Sequence, residues 1–367
     1  MPIYARDLFL GSNLVGAFKE VIIPSRFIVT AAPVFQISAW RELKQACSDV
    51  RRLRDFQNGS FLIETPLPLV EFTEKLAQAD PIFIRHMMPV QVEMRVTGSR
   101  EKDLPQILAS VQDLCTLKSG STFSVQCRRM GTYYDYRTRD AEIYVGQVFQ
   151  AKGAQPVFVE PNRDHSRTII SVFLFLNKGY IGCSIAKDNL CGYCDINRLF
   201  YGQEPEVSRA EFKLREAIHK FDIPIGQHEV LDLGAAPGGW TKVLADAGAQ
   251  VTAVDPADLD PVVRDLPNVR HIKSRVDEWC GDQQFDLIVN DMNIVPKETV
   301  ATMNRLKPFL KPDAYAIATV KLIKDRHPRK LLRRAVAELE RGYEVIGVKH
   351  LFHNRREVTV LLKHAIE

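Results

Sequence analysis

The stretch Val230-Leu-Asp-Leu-Gly-Ala-Ala-Pro-Gly-Gly-Trp240 decides the fold of the C-terminal part of this chain. It passes from a short apolar run, typical of a buried strand, into a turn that contains Gly234, Gly238 and Gly239. Glycine tolerates positive φ and lets the backbone approach a ligand closely at the N-terminus of a following helix. The stretch therefore predicts a strand, a ligand-binding turn and a helix in that order.

Strands and helices alternate around this turn. Ser208-Arg-Ala-Glu211 is typical of a capped helix start, and a pair of apolar runs near the C-terminus predicts two closing strands. Further strands are predicted at 250–254, 268–272, 285–290 and 314–320. This alternation predicts an α/β fold with a Rossmann-like, doubly wound and mostly parallel sheet. Ligands of such sheets bind beyond the carboxyl ends of the strands, where Gly234, Asp255, Asp291 and Lys321 lie.

The 367 residues are too many for one ordinary core and suit two or three domains. We expect an α+β subdomain at 1–75, a second α+β domain at 76–187, and a polar linker punctuated by glycine and proline at 188–207. The α/β domain is expected at 208–367. The sequence leaves the oligomeric state open.

Composition indicates an ordinary globular protein, with 46% hydrophobic and 26% charged residues and a formal net charge of +4. The chain has no apolar run long enough for a bilayer and no export signal at its start, so we expect a cytoplasmic protein without membrane contact. Cys191 and Cys194 form a lone CxxC pair. Because a zinc site needs two more ligands, we expect free thiols and no metal.

The turn does not have the GxGxxG spacing of a dinucleotide site. S-adenosylmethionine carries no phosphate and instead needs an anion for its amino group, so it is the expected ligand. Asp255 is placed to accept the ribose hydroxyls and Asp277 to reach the adenine amine, although a strand-end aspartate can also be a plain turn residue. The predicted donor site comprises Ser208, Asp232, Gly234, Ala236, Pro237, Gly238, Gly239, Trp240, Asp255, Asp277 and Asp291.

The stretch from Asp232 to Trp240, with Ser208-Arg-Ala-Glu-Phe-Lys213, resembles the FtsJ-type ribose 2′-O-methyltransferases. The resemblance implies a catalytic tetrad, whose counterparts here are Lys213, Asp291, Lys321 and Glu357. The turn and the run 351–360 are similar to the bacterial large-subunit rRNA (cytidine-2′-O)-methyltransferase M family. That likeness implies a THUMP RNA-binding domain at 76–187 and 23S rRNA as substrate. One departure is Ala236, where cysteine is expected in well-known members.

The chemistry of ribose methylation explains why such a tetrad would be needed. A ribose hydroxyl is a poor nucleophile and needs a base within hydrogen-bond reach. A lysine with a pKa of about 10.4 is charged, but burial and a second ammonium lower its pKa. We therefore expect Lys321 as the base, with Asp291 and Glu357 orienting it and Lys213. Taken singly, each residue can also be an ordinary solvated or strand-end side chain.

Basic and aromatic residues outside the donor turn and the tetrad suggest RNA contacts. The candidates are Arg128, Arg129, Tyr133, Arg137, Lys324, Arg326 and Arg329. Aromatic faces beside guanidinium groups suit bases and phosphates, but half-buried tyrosines with solvated arginines fit equally well.

Rival chemistries are less consistent with the sequence. Asn290-Asp-Met-Asn293 lacks the Pro-Pro-aromatic signature of enzymes that methylate exocyclic amines, and Cys280 precedes the strand where a cytosine C5 enzyme needs its nucleophile. Methylation of tRNA or another RNA stays open. A non-catalytic RNA-binding or assembly protein with a relict donor pocket also stays open.

Overall fold

The computed structural model describes residues 24–157, 167–190, 205–322 and 327–364. Three sheets follow one another along this part of the chain, with four, five and seven strands. No helix in these ranges is long and apolar enough to cross a membrane.

The first sheet belongs to a βαββαβ unit, the ferredoxin-like arrangement. Its elements are β1 (Ser25–Ala31), α1 (Gln36–Ala46), β2 (Arg51–Asp55), β3 (Ser60–Thr65), α2 (Leu69–Gln78) and β4 (Ile84–Pro89). The strand order is β2-β3-β1-β4, with antiparallel pairing throughout. The predicted boundary between residues 75 and 76 is corrected, because it falls inside α2 and would remove β4 from its pairing with β1.

The second sheet mixes parallel and antiparallel pairs in the order β5-β9-β8-β6-β7. Its elements are β5 (Val92–Arg95), α3 (Arg100–Leu114), β6 (Thr122–Met130), α4 (Thr138–Ala151), β7 (Gln155–Pro156), β8 (Thr168–Phe175) and β9 (Lys178–Ile185). The assignment of this region as a THUMP domain stays a prediction. Most of the predicted linker at 188–207, with Cys191 and Cys194, lies outside the described residues.

The third sheet has the order β12-β11-β10-β13-β14-β16-β15. Its elements are α5 (Ala210–Phe221), β10 (Glu229–Leu233), α6 (Gly239–Asp246), β11 (Gln250–Val254), α7 (Pro261–Arg264), β12 (Val269–Ile272), β13 (Phe285–Asn290), α8 (Pro296–Leu306), β14 (Leu310–Lys321), α9 (Pro328–Leu339), β15 (Tyr343–Lys349) and β16 (Glu357–His364). Pairing is parallel from β12 to β14, and β16 runs antiparallel between β14 and β15. The prediction of a doubly wound, mostly parallel sheet is confirmed.

The first sheet packs against the edge of the third. The backbone N–H of His350 donates to the carbonyl of Ile82 at 2.9 Å, and the His350 ring lies 4.7 Å from the ring of Phe35. Arg329 of α9 donates to Gln45 Oε1 at 2.6 Å. A residue of the first sheet can therefore reach the loop that joins β15 to β16.

Candidate active site

The turn after β10 needs its glycines. Gly234 and Gly238 have φ values of 68° and 114°, a region that favours glycine. A Cβ on Gly234 would lie 2.3 Å from Met292 Cγ, and one on Gly239 would lie 2.2 Å from Ser208 Oγ. The turn thus keeps a backbone cradle open between β10 and α6, at the carboxyl end of the sheet.

Two aspartates flank this cradle. Asp255, after β11, accepts the backbone N–H groups of Ala236 at 3.1 Å and Ala257 at 2.8 Å. The Ala236–Pro237 peptide bond is cis. Asp255 therefore lies directly against the turn, where the sequence predicted it.

Asp232 of β10 is 2% exposed and accepts the hydroxyl of Thr241 at 2.6 Å. Burial raises the pKa of Asp232 to about 7, against the lowering effect of the Thr241 hydrogen bond, and the charges of Asp291 and Asp255 raise it further. Within the described residues no basic side chain pairs with Asp232. A cationic ligand in the cradle would stabilise its carboxylate form.

Ser208 has a buried hydroxyl without a hydrogen-bond partner in the described part of the chain. Glu211 accepts the backbone N–H of Ser208 at 3.0 Å, so only one half of the predicted capping box forms. The unused Oγ lies beside Gly239 and can serve a ligand in the cradle.

Lys213, Asp291, Lys321 and Glu357 meet in one cluster, which we call the tetrad cluster. Lys213 Nζ lies 3.0 Å from Asp291 Oδ2 and 2.8 Å from Glu357 Oε1, and Lys321 Nζ lies 2.6 Å from Asp291 Oδ1. Lys321 and Glu357 are paired in register across β14 and β16. The sheet itself therefore sets the spacing of two of the four groups.

The tetrad cluster balances two ammonium groups with two carboxylates. Burial alone would raise the pKa of Asp291 and of Glu357, but the two lysines outweigh it and hold both pKa values below their usual range. Burial lowers the pKa of Lys213, but Asp291 and Glu357 outweigh it and the net shift is upward. The upward shift at Lys213 follows from its two carboxylate partners, and the assignment of Lys321 as the base stays a prediction.

Residues 206–326 match the family model described as FtsJ-like methyltransferase. The C-terminal domain is an FtsJ-like methyltransferase domain. This family uses S-adenosylmethionine. The match covers the donor turn and three members of the tetrad cluster, and Glu357 lies beyond it.

Curated relatives of the chain carry a more specific name. "Ribosomal RNA large subunit methyltransferase M" of Proteus mirabilis is 32% identical over 219 residues, which cover 55% of this chain and 58% of that protein. The protein of the same name from Halorhodospira halophila is 30% identical over 158 residues, covering 42% and 46%. The chain thus spans about half the length of the curated relatives it matches.

Among solved structures, TrmN from Thermus thermophilus aligns with 93% of this chain and 100% of its own, at 15% identity and a TM-score of 0.37. A TM-score at that level supports no argument about function.

An open cleft of about 740 Å³ adjoins the tetrad cluster of the FtsJ-like domain, and we call it the acceptor cleft. It is lined by Arg209, Ala210, Phe212, Lys213, Asn293, Phe352, His353, Asn354, Arg355, Arg356 and Glu357. The rings of Phe212 and His353 lie 5.5 Å apart. Apart from the tetrad members, sequence reasoning missed this lining, although Phe212 directly precedes Lys213 and residues 352–356 directly precede Glu357.

Two predicted donor residues have other partners in the FtsJ-like domain. Trp240 is buried and its indole N–H donates to the carbonyl of Ala210 at 2.8 Å, so its ring fastens α6 to α5. Asp277 is exposed and accepts two hydrogen bonds from Arg275, at 3.0 and 3.1 Å. A contact between Asp277 and adenine stays a prediction, and it would have to displace or share that guanidinium.

The candidate RNA-binding residues divide into two groups. Arg128 donates to Thr30 Oγ1 at 2.5 Å and lies 2.6 Å from His86 Nδ1, so it joins the second sheet to the first. Arg129 donates to the carbonyl of Tyr136. Each guanidinium thus has partners within the protein, and RNA binding by either of them stays a prediction.

The remaining candidates are more accessible or lie outside the described residues. Tyr133 is 49% exposed, and Arg137 is exposed at the start of α4. Lys324 and Arg326 lie in the stretch 323–326, outside the described residues. Arg329 bonds Gln45. RNA binding by these residues stays a prediction.

The described residues contain no cluster of three or more His, Cys, Asp or Glu side chains that could hold a metal ion.

Proposed function

We propose that this protein transfers the methyl group of S-adenosylmethionine to a ribose 2′-hydroxyl of RNA. The tetrad cluster is the observation that carries this proposal, because it places two lysines and two carboxylates within ion-pair distance, and two of the four, Lys213 and Glu357, line the acceptor cleft. Hydroxyl methylation needs a proton acceptor and a site that tolerates phosphate nearby. A lysine amine can accept the proton in its neutral form, and two carboxylates balance the charge of the two lysines.

The donor cradle suits a cationic nucleoside ligand. The glycine turn leaves room for close backbone contact, and Ser208 offers an unused hydroxyl. A positively charged neighbour would stabilise the carboxylate form of Asp232. We assign Asp255 to the ribose hydroxyls of the donor, since its carboxylate lies at the end of β11 beside the turn. Bound in this cradle, S-adenosylmethionine would supply an electrophilic methyl group on a sulfonium.

In the proposed mechanism, Lys321 in its neutral form would accept the proton of the 2′-hydroxyl as the oxygen forms its bond to the methyl carbon. The bond between that carbon and the sulfonium sulfur would break in the same step and leave a neutral thioether. Asp291, 2.6 Å away, orients Lys321 Nζ and stabilises the ammonium that results. Lys213 keeps its proton, as the upward shift of its pKa indicates, and stays charged beside the acceptor. Glu357 holds Lys213 in place at 2.8 Å.

We further propose that the RNA is large-subunit rRNA, with a cytidine of 23S rRNA or of its precursor particle as the target. Support comes from the name that the relatives carry and from the sequence resemblance in the run 351–360. The second sheet would act as the THUMP-type RNA-binding domain. A tRNA or another RNA would fit the same tetrad cluster.

The test compares ribose methylation, mapped by mass spectrometry, in rRNA from cells with and without the gene. One missing 2′-O-methyl group that the purified protein restores would support the proposal. The Lys321→Ala variant should fail to restore the methyl group and should keep donor affinity near wild type. The matched control is Lys330→Ala, since Lys330 is an exposed lysine of α9. Donor binding without transfer to any rRNA or tRNA would instead favour the non-catalytic alternative.

A further inference from the structure

The loop of residues 350–356 joins β15 to β16 and forms one wall of the acceptor cleft. It presents the rings of Phe352 and His353, 5.0 Å apart, beside the exposed side chains of Arg355 and Arg356. Aromatic and guanidinium groups together suit the bases and phosphates of single-stranded RNA. The loop leads directly into Glu357, so its position also sets the entrance to the tetrad cluster.

Glu216 holds the loop from the side of α5. Its carboxylate accepts the backbone N–H of Phe352 at 2.6 Å and that of His353 at 2.8 Å, and it lies 2.8 Å from His353 Nδ1. Glu216 is 3% exposed, so these bonds are shielded from water. Since α5 also carries Lys213, Glu216 fixes this side of the loop to the same helix that contributes Lys213 to the tetrad cluster.

Arg85 holds the loop from the opposite side, and it comes from β4 of the first sheet. Its Nη2 donates to the carbonyls of Leu351 and Asn354, both at 2.8 Å, and its Nε donates to His350 Nδ1 at 3.1 Å. The guanidinium also lies 5.5 Å from the ring centre of Phe352. One side chain of the first sheet thus bonds three residues of the loop.

The ionisation of His350 favours this contact. Burial and the charge of Arg85 hold the pKa of His350 well below its usual range, so the ring is neutral at physiological pH. Nδ1 can then accept from Arg85, and the proton belongs on Nε2, which lies 3.4 Å from the carbonyl of Arg355. The Arg85 guanidinium therefore faces a neutral ring, and it donates to His350 Nδ1 and to the carbonyls of Leu351 and Asn354.

We propose that Arg85 is a positioning residue for the RNA acceptor, fixing the loop 350–356 from the first sheet in the conformation that receives the target nucleotide. The inference rests on the proposed function. It gives the first sheet a part in the reaction that does not depend on its own contacts with RNA.

Hydrogen exchange of the free protein tests the contact itself. Arg85→Ala and Arg85→Lys should each speed exchange of the Leu351 and Asn354 amides, which belong to the two residues whose carbonyls Arg85 holds, at least about tenfold. A lost charge-assisted hydrogen bond is worth about that factor or more. Lysine keeps the charge but cannot make the three bonds, so it remains informative if the alanine variant misfolds. Gln45→Ala, which removes another contact between the first and third sheets, should leave the loop unchanged. Unchanged exchange in the lysine variant would overturn the proposal.

Steady-state kinetics with the target RNA tests the role. Arg85→Lys should raise KM for RNA about tenfold, leave donor affinity unchanged and change kcat less. A general loss of structure would weaken donor binding as well, and that result would contradict a positioning role. The two experiments test separate claims, because the exchange experiment needs no RNA. Absence of methylation by the wild type would refute the proposed function, whereas the exchange rates alone decide whether Arg85 holds the loop.

Discussion

Asp291→Asn should expose how strongly the tetrad cluster depends on its central carboxylate. The substitution keeps the side-chain shape but leaves Lys213 and Lys321 with Glu357 as their sole carboxylate within the cluster. Asp291, Lys213 and Lys321 have side-chain exposures of 16%, 17% and 8%, so the pairs are largely shielded from solvent. Breaking a buried pair from one side costs about 3 kcal/mol.

Urea denaturation at pH 7 would measure the loss, with Asp286→Asn as the matched control. Asp286 lies at the other end of the same strand and pairs with Lys311 at 2.8 Å, but the pair is 28% and 41% exposed. Its removal should cost about 0.5 kcal/mol, as for other solvent-accessible pairs. Equal losses for the two variants would refute the reasoning.

The stability that Asp291 contributes should depend on pH. The folded-state pKa of Asp291 is lowered, so its contribution to stability is present above the unfolded value of 3.8 and is lost as the pH falls through the folded value. The difference between wild type and Asp291→Asn should therefore be largest near neutral pH and shrink in acid. A difference that grew as the pH fell would contradict the assigned ion pairs.

Three further predictions concern the donor cradle and the sheet interface. Wild-type donor affinity, measured by calorimetry, should fall as the pH drops through about 7, because Asp232 then takes up a proton. The variant Asp232→Asn should show donor affinity that no longer depends on pH in this range. A pH profile in the variant that matches the wild type would count against the role of Asp232. Gly239→Ala should weaken donor binding, since its Cβ would lie 2.2 Å from Ser208 Oγ, and adding Ser208→Ala should restore part of the loss; no recovery in the double variant would exclude this clash as the cause. Arg128→Ala should lower the free energy of unfolding by about 2 kcal/mol, the value of a charge-assisted hydrogen bond. The control Arg139→Ala, at an exposed position, should leave the free energy of unfolding unchanged. An unchanged unfolding curve for Arg128→Ala together with weaker RNA binding would show that Arg128 contacts RNA instead.

Local sequence predicted the strand, turn and helix around Gly234, and the resemblance to a known family supplied the four members of the tetrad cluster. The apolar run, the glycines and the alternation of strands after residue 208 are short-range patterns, and they place Asp291 and Lys321 at neighbouring strand ends. The catalytic and donor-binding roles stay predictions, whereas the proximity of the four side chains is a structural fact.

Contacts between distant residues were beyond sequence reasoning. β4 joins the first sheet through pairing with β1, which no local pattern near residue 75 reveals. Arg128 was assigned to RNA because its local context is basic and aromatic, but Thr30 and His86 supply its partners from another sheet. Arg85 and His350 are 265 positions apart, so neither residue carries a signal of their contact.

The insertion of β16 between β14 and β15 has a consequence for synthesis of the protein. Glu357 begins β16, and its register partner Lys321 ends β14, so the two face each other only after the last strand has entered the interior of the sheet. A nascent chain that has reached β14 already contains the donor turn, Lys213, Asp291 and Lys321, but not the carboxylate that neutralises Lys213 from the other side. The tetrad cluster is thus complete only after β16 has been synthesised and paired, when the donor cradle can already have formed.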